Sequence, residues 1–163
     1  MHDAAFAWVV RCLGEIGTPR VVVEFGALDV NGSVRGLFAG TDYTGVDLLA
    51  GPGVDVVGDT ADYEHPVPVD LVVCCETLEH SDHAGAIVAA AARLLGSGGW
   101  LILTTAGPGR PPHAADGSDR GPHPGEWYAN VSPDALDDWL RAAGFRRWQT
   151  DETGVDVRVL AQR

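Results

Sequence analysis

The chain has no lysine. All of its 11 basic residues are arginine, set against 23 acidic ones, and the formal charge is −12. An anionic surface of this kind repels a phosphate backbone, which is bound mainly by Lys and Arg displacing counterions. Nucleic acid is therefore not the expected partner. Cysteine is scarce as well: Cys12, Cys74 and Cys75 are odd in number, and two are adjacent in an apolar run. Neighbours in a strand point to opposite faces, which excludes an ordinary disulfide between that pair. Reduced thiols and a cytoplasmic setting follow. No apolar run is long enough to span a bilayer. The short run Ala4 to Val10 follows Asp3, ends at Arg11 and lacks the basic start of a signal peptide. A soluble protein away from membranes is expected, and no internal repeat is visible.

What is present fits one α/β domain. A chain of 163 residues, 45% of them apolar, is enough for one core, so residues 1–163 are expected as a single domain. Phe6, Val9, Val10, Leu13 and Ile16 recur at helical spacing, and Gly17 with Pro19 stops the pattern, so residues 1–18 read as an N-terminal helix. Val21 to Phe25 is a nearly continuous apolar strand, as in a sheet covered on both faces. A short helix from about Ser33 to Phe38 follows, then strands at Tyr43 to Asp47 and Val54 to Val57. Leu71 to Cys75 is the strongest strand. A helix from about Asp82 to Leu95 has Ser81 as expected N-cap and Gly96 past its end, with Ile87, Val88, Ala91 and Leu95 facing inward. Trp100 to Thr105 is a fifth strand.

Residues 106–125 then change character, with Gly107-Pro108-Gly109, Pro111-Pro112 and Gly121-Pro122-His123-Pro124-Gly125. A long Gly/Pro loop inside a compact domain is usually functional, and this one is expected over the site. Ser132-Pro133-Asp134 opens another helix with a cap, an N1 proline and an acidic first turn; Leu136, Trp139, Leu140 and Ala143 make its buried face. Phe145 to Thr150 and Val155 to Leu160 are strands joined by Asp151-Glu152-Thr153-Gly154. Four residues cannot carry a parallel crossover, so this pair is an antiparallel hairpin. The expected fold is a Rossmann-like, doubly wound α/β sheet, mostly parallel, with a reversed C-terminal strand.

Three acids end the first three strands. Glu24 precedes the small-residue turn Gly26-Ala27, Asp47 ends the second strand 23 residues later, and Asp59 follows the third. In open α/β sheets nucleotide-like ligands bind at that edge, and carboxylates there can accept ribose hydroxyls or a base amino group. On Glu24-Phe25-Gly26, Asp47, Asp59, the segment Asp70 to His80 and the terminal hairpin, the chain resembles the class I S-adenosylmethionine-dependent methyltransferases from Val21 to Leu160. It departs from the family's first motif, which has glycines where Leu28 and Val30 stand here; Asp29-Val30-Asn31-Gly32-Ser33 marks a variant turn.

The resemblance implies S-adenosyl-L-methionine as the methyl donor. It implies that Glu24, Gly26 and Ala27 lie near the donor's amino acid part. Asp47 would take the ribose and Asp59 the adenine amino group, with Leu48 and Thr60 flanking the base and Cys75 and Glu76 beside the methionine. The segment His123 to Tyr128 is similar to one in small-molecule members, which makes Trp127 and Tyr128 candidates for the acceptor pocket or for loop anchors. The base-amine signature, Asn/Asp-Pro-Pro-aromatic, is missing, since Cys75-Glu76-Thr77-Leu78 occupies its place. A small-molecule acceptor is expected, at a site left open or completed by a homodimer. If the acceptor must lose a proton, His80, His113, His123 and Glu126 are candidate bases, and the sequence leaves the choice open. No metal is expected: His80 and His83 lack a full ligand set, and cysteines at metal-site spacing are absent. Glu79 and Asp82 read as a solvated acidic face. Two rival functions are a donor-binding module without catalysis and a NAD-dependent oxidoreductase. The second calls for a GxGxxG turn and a Tyr-x-x-x-Lys pair, which the chain lacks.

Overall fold

Two layers of side chains converge on a central sheet, one layer on each face. The computed structural model describes residues 2–118, 120–152 and 154–163. Met1, Asp119 of the long loop and Thr153 of the expected hairpin turn lie outside the described residues. The strands are β1 (Val21–Phe25), β2 (Asp42–Asp47), β3 (Val56–Val57), β4 (Val69–Cys75), β5 (Leu95–Ala106), β6 (Arg147–Asp151) and β7 (Asp156–Gln162). They stand in the order β3-β2-β1-β4-β5-β7-β6. Pairs from β3 through β5 are parallel, while β7 runs antiparallel between β5 and β6. The reversed strand and its hairpin are as expected. Strand order turns back on itself at β1, which sits between β2 and β4, and ligands bind beyond the carboxyl ends at such a point.

Helices α1 (Asp3–Ile16), α2 (Ala84–Leu94) and α3 (Pro133–Ala143) cover the faces. On one side Ile87, Val88, Leu136 and Leu140 pack over Val72, Cys74, Leu101 and Leu103. On the other, Trp8, Val9, Cys12 and Phe38 pack over Leu71, Val73, Cys75 and Ile102. Cys74 and Cys75 thus enter different cores, both as free thiols. Helix α3 forms as its sequence requires. The Ser132 hydroxyl accepts from the Ala135 N–H, Pro133 fills N1, and Gly144 closes the helix at φ 87°.

Several boundaries differ for identifiable reasons. The helix expected from Ser33 is a single 3-10 turn, Arg35–Phe38. Strand β3 begins at Val56, because Asp55 turns its carboxylate onto the Gly45 N–H and Arg35. Ser81 does not cap α2. It ends a 3-10 turn over Leu78–His80, its hydroxyl takes the His83 N–H, and α2 starts after His83. At the other end Leu95 already adopts extended backbone and opens β5, so Gly96 lies within a strand irregularity opposite Val69. Glu79 is no solvated acid. It is fully buried, taking the Thr105 hydroxyl at 2.8 Å and the Ala106 N–H at 3.1 Å. Asp82 does sit in solvent beside His83.

Leu136 is entirely buried where α3 meets the sheet. Leu136→Ala should cost about 2–5 kcal/mol, and Ser132→Ala about 1 kcal/mol, through the lost cap. Urea titration would show both as lowered midpoints at unchanged slope.

Candidate active site

A cavity of about 1150 Å³ opens beyond the carboxyl ends of β1 to β4. Glu24, Gly26, Ala27, Asp47, Leu48, Asp59, Thr60, Cys75 and Glu76 all line it. The three strand-terminal acids, distant in sequence, therefore share one cleft.

Its floor is the turn after β1. Gly26 has φ 74°, and a Cβ there would run into the Thr77 hydroxyl. That hydroxyl bridges the Phe25 carbonyl at 3.3 Å and the Cys75 carbonyl at 3.1 Å. Beyond it the variant turn closes without further glycine until Gly32. Leu28 donates its N–H to Asp47 Oδ2 at 3.0 Å and lays its side chain against Gly51. Asp29 donates its N–H to the Pro52 carbonyl at 2.8 Å and accepts the Gly32 N–H on Oδ1, also at 2.8 Å. Leu28 lines the cleft, with the end of its side chain against Gly51.

The acids differ in their surroundings. Glu24 is 5% exposed and accepts the Tyr43 hydroxyl, while the Arg35 guanidinium lies 4.4 Å above the Tyr43 ring. Burial pushes Glu24 up to about 7 despite those two groups. Asp47 is fixed by two backbone donors, Leu28 on Oδ2 and Leu49 on Oδ1, both at 3.0 Å. Asp59 accepts the Ala61 N–H at 2.9 Å and faces His83 Nε2 at 3.1 Å. Hydrogen bonds that His83 donates to Asp82 and Asp59 raise it above its ordinary value.

Glu76 is the one non-glycine at positive φ among the described residues, at 53°. Such a conformation persists only where surroundings over-determine it, and here they do. Its N–H reaches the Thr104 carbonyl at 2.9 Å, and Oε1 accepts the Thr104 hydroxyl. Its Oε2 lies 3.2 Å from His2 Nε2 and 3.5 Å from Arg110. Burial acts upward on this carboxyl, but His2, Thr104 and Arg110 bring it below its ordinary value.

At the far end His80, His113, Glu126 and Trp127 line the cavity. The rings of His80, His113 and Tyr128 meet edge to face, with centroids 5.0–5.4 Å apart. Burial, then His113, holds His80 below its usual value. Tyr128 backs this pair and does not line the cavity, whereas Trp127 stands exposed at the rim. His123 lies outside the lining, on the surface, with Nε2 2.9 Å from Asp116. Sequence reasoning places neither His2 nor Arg110 at the site and weighs His83 only as a metal ligand, yet all three line the cleft. Arg110 carried a signal as the first cation within the Gly/Pro loop, and His83 through its spacing from His80; His2 carried none.

The family described as "Methyltransferase domain" matches residues 1–150. The chain belongs to this methyltransferase family. The ubiquinone biosynthesis O-methyltransferase of Burkholderia cenocepacia is 30% identical over 98 residues, 56% of this chain and 42% of the relative. That of Burkholderia thailandensis is 26% identical over 165 residues, 91% of this chain and 69% of the relative. The match to the first thus spans under half of its length. The fold is also that of an amino pentose methyltransferase from Micromonospora echinaspora, with TM-score 0.72 at 19% identity over 99% of this chain and 91% of that one. No helix among the described residues of this methyltransferase domain is long and apolar enough to cross a membrane.

Glu24 links stability to pH. With an ordinary value of 4.5 and a folded value of about 7, the native state keeps a proton that the unfolded chain releases. Its contribution is complete below the ordinary value and is lost as pH rises through about 7. Relative to Glu24→Gln, the parent should therefore lose on the order of 3 kcal/mol between pH 4 and pH 8. Chemical denaturation of both proteins across that range checks it.

Proposed function

We propose that this methyltransferase domain transfers a methyl group from S-adenosylmethionine to a small-molecule acceptor. The observation that carries the reading is the gathering of Glu24, Asp47 and Asp59 on one cleft above the Gly26 cradle. The residues present fit the donor: Gly26 lets the β1 turn pack tightly on Thr77 and form the floor of the cleft, and the acids supply acceptors for hydroxyl and amino groups. When bound, the donor supplies a methyl group on a positively charged sulfonium, already activated for displacement.

The chain's part is alignment. Asp47, held by two N–H groups, keeps lone pairs on both oxygens to accept a ribose diol. Asp59 would take the adenine amino group on the face not used by His83, with Leu48 and Thr60 against the base. Glu76, held below its ordinary value, gives the inner cleft the negative character that suits an ammonium and a sulfonium. Fixing donor and acceptor together turns an encounter between two molecules into a step within one complex, a large share of the barrier. His80 and His113 form the polar wall at the acceptor end, with Trp127 at the rim; Glu126 is also within reach. His123 is displaced from this role by its pairing with Asp116.

A small acceptor is supported by the names of the relatives, which concern ubiquinone biosynthesis and an amino pentose, and by the missing base-amine signature. The acidic balance argues against nucleic acid. Free, buried thiols suit a cytoplasmic location. A binding-only module would be favoured if Leu28 blocked the donor; it lines the cleft, but the end of its side chain meets Gly51, which does not.

Calorimetric titration with S-adenosylhomocysteine tests the donor site. The parent should bind and Asp47→Ala should bind about 10- to 100-fold more weakly, through two lost hydrogen bonds to a charged group. Binding of NAD with none of S-adenosylhomocysteine would overturn the reading. Turnover of methyl donor with a pooled metabolite extract would then separate catalysis from binding alone.

A further inference from the structure

Two groups of acids and histidines converge in this molecule, and they differ in one respect. In the first, His2, Glu76 and Asp156 present ligand atoms within 4.8 Å of one another. That group already contains its cation. Arg110 pairs with Asp156 and lies 3.5 Å from Glu76, and Arg158 is 3.1 Å from Asp156. In the second, an oxygen of Glu79 and one ring nitrogen each of His80 and His113 also lie within 4.8 Å of one another. No arginine pairs with this group among the described residues.

The second group carries the marks of an incomplete polar centre. Glu79 is wholly buried, and a buried carboxyl either keeps a proton, as Glu24 does, or is paired with a cation or bound to a metal. Its two donors, Thr105 and Ala106, each occupy one oxygen and leave a lone pair on both. His80 Nδ1 and the Tyr128 hydroxyl, in mutual ring contact beside it, are buried with no hydrogen-bond partner. Edge-to-face packing of three rings explains their nearness, but it does not explain two orphaned polar atoms next to a buried acid. A cation seated between the carboxylate and the imidazoles accounts for Glu79, and it orients the rings so that the remaining nitrogens and the Tyr128 hydroxyl can serve water or ligand.

We propose that Glu79, His80 and His113 bind one divalent transition-metal ion at the acceptor end of the cleft. Two imidazoles and one carboxylate, without a thiolate, suit zinc, manganese or iron(II) rather than calcium or magnesium. Ligand atoms around such an ion are about 3–4 Å apart for bonds near 2.1 Å, so a small rotation of His113 on its loop closes the set. Three protein ligands leave positions open. Because His80 and His113 line the cavity, those positions face the space beyond the donor and would receive an oxygen of the acceptor. Metal binding itself does not depend on the methyl-transfer reading.

The test titrates the full, metal-free chain calorimetrically with zinc chloride and with manganese chloride, without any methyl donor. One site per chain is expected. His113→Ala, on a loop outside the core, should weaken it by on the order of a hundredfold. His65→Ala should leave it unchanged, since His65 bonds only within its own loop, to the Val67 carbonyl. Thermal unfolding of each variant confirms that both are folded. Absence of saturable binding by either ion, or equal binding by the parent and His113→Ala, overturns the proposal. Binding of S-adenosylhomocysteine, measured separately, stands or falls independently of this result.

Discussion

Thr77 sits where β1 and β4 part company, and the cleft exists because of what it touches. Its hydroxyl bridges the carbonyls at the two strand ends, Phe25 and Cys75, while its side chain fills the space a Cβ would need on Gly26. The two exit turns are thus fastened at a single point and diverge from it. One carries the chain through Leu28 and Asp29 toward Asp47, the other through the left-handed Glu76 into Glu79 and His80. A parallel sheet leaves a crevice at this place by topology alone. What Thr77 and Gly26 add is a fixed floor, close enough to backbone for a ligand to lie flat against it.

Charge is distributed around that floor with a consistent logic. Glu24 has a hydroxyl donor and burial that favours its proton; Asp47 and Asp59 at the rim accept backbone N–H groups. His2 and Arg110, on either side of Glu76 in the sequence, help hold its carboxyl below the ordinary value. Each acid is matched to a donor of a different kind, so neighbouring carboxylates need not share one environment. An all-acidic cleft would repel itself. This one is tuned residue by residue, and its inner surface stays attractive to a cationic ligand.

The sheet was legible because its signals are local. Continuous apolar runs at Val21 and Leu71, the cap and proline at Ser132, and a hairpin too short for a crossover each specify one element without help from the rest. The three acids could be placed as well, since a residue ending a strand is placed by the strand. Legibility failed where a side chain answers to a distant partner. Ser81 looks like an N-cap, yet the turn Leu78–His80 claims it. Glu79 looks like one more surface acid in an acidic stretch, and nothing local reveals that Thr105 and the Ala106 N–H wait for it at the end of β5. His2 is invisible for the same reason, being 74 residues from Glu76.

The long Gly/Pro segment shows how irregular chain can still serve as architecture. Its first turn is fastened to the hairpin by Gly107, whose N–H reaches the Val155 carbonyl at 2.8 Å. Arg110 then drops into the Glu76 and Asp156 carboxylates, and its own carbonyl takes the Asn130 side chain at 2.9 Å. Farther on, Gly117 comes up against Val30 and Asn31 of the variant β1 turn, so the segment crosses from one wall of the cleft to the other. The two departures from regular structure therefore meet. A turn with bulkier residues in place of glycines and a loop without helix or strand support each other over the cavity, and His113, held between those anchor points, arrives opposite His80. Proline limits the loop's unfolded freedom, and the ion pairs at Arg110 set its direction, which makes it a wall with defined residues facing inward.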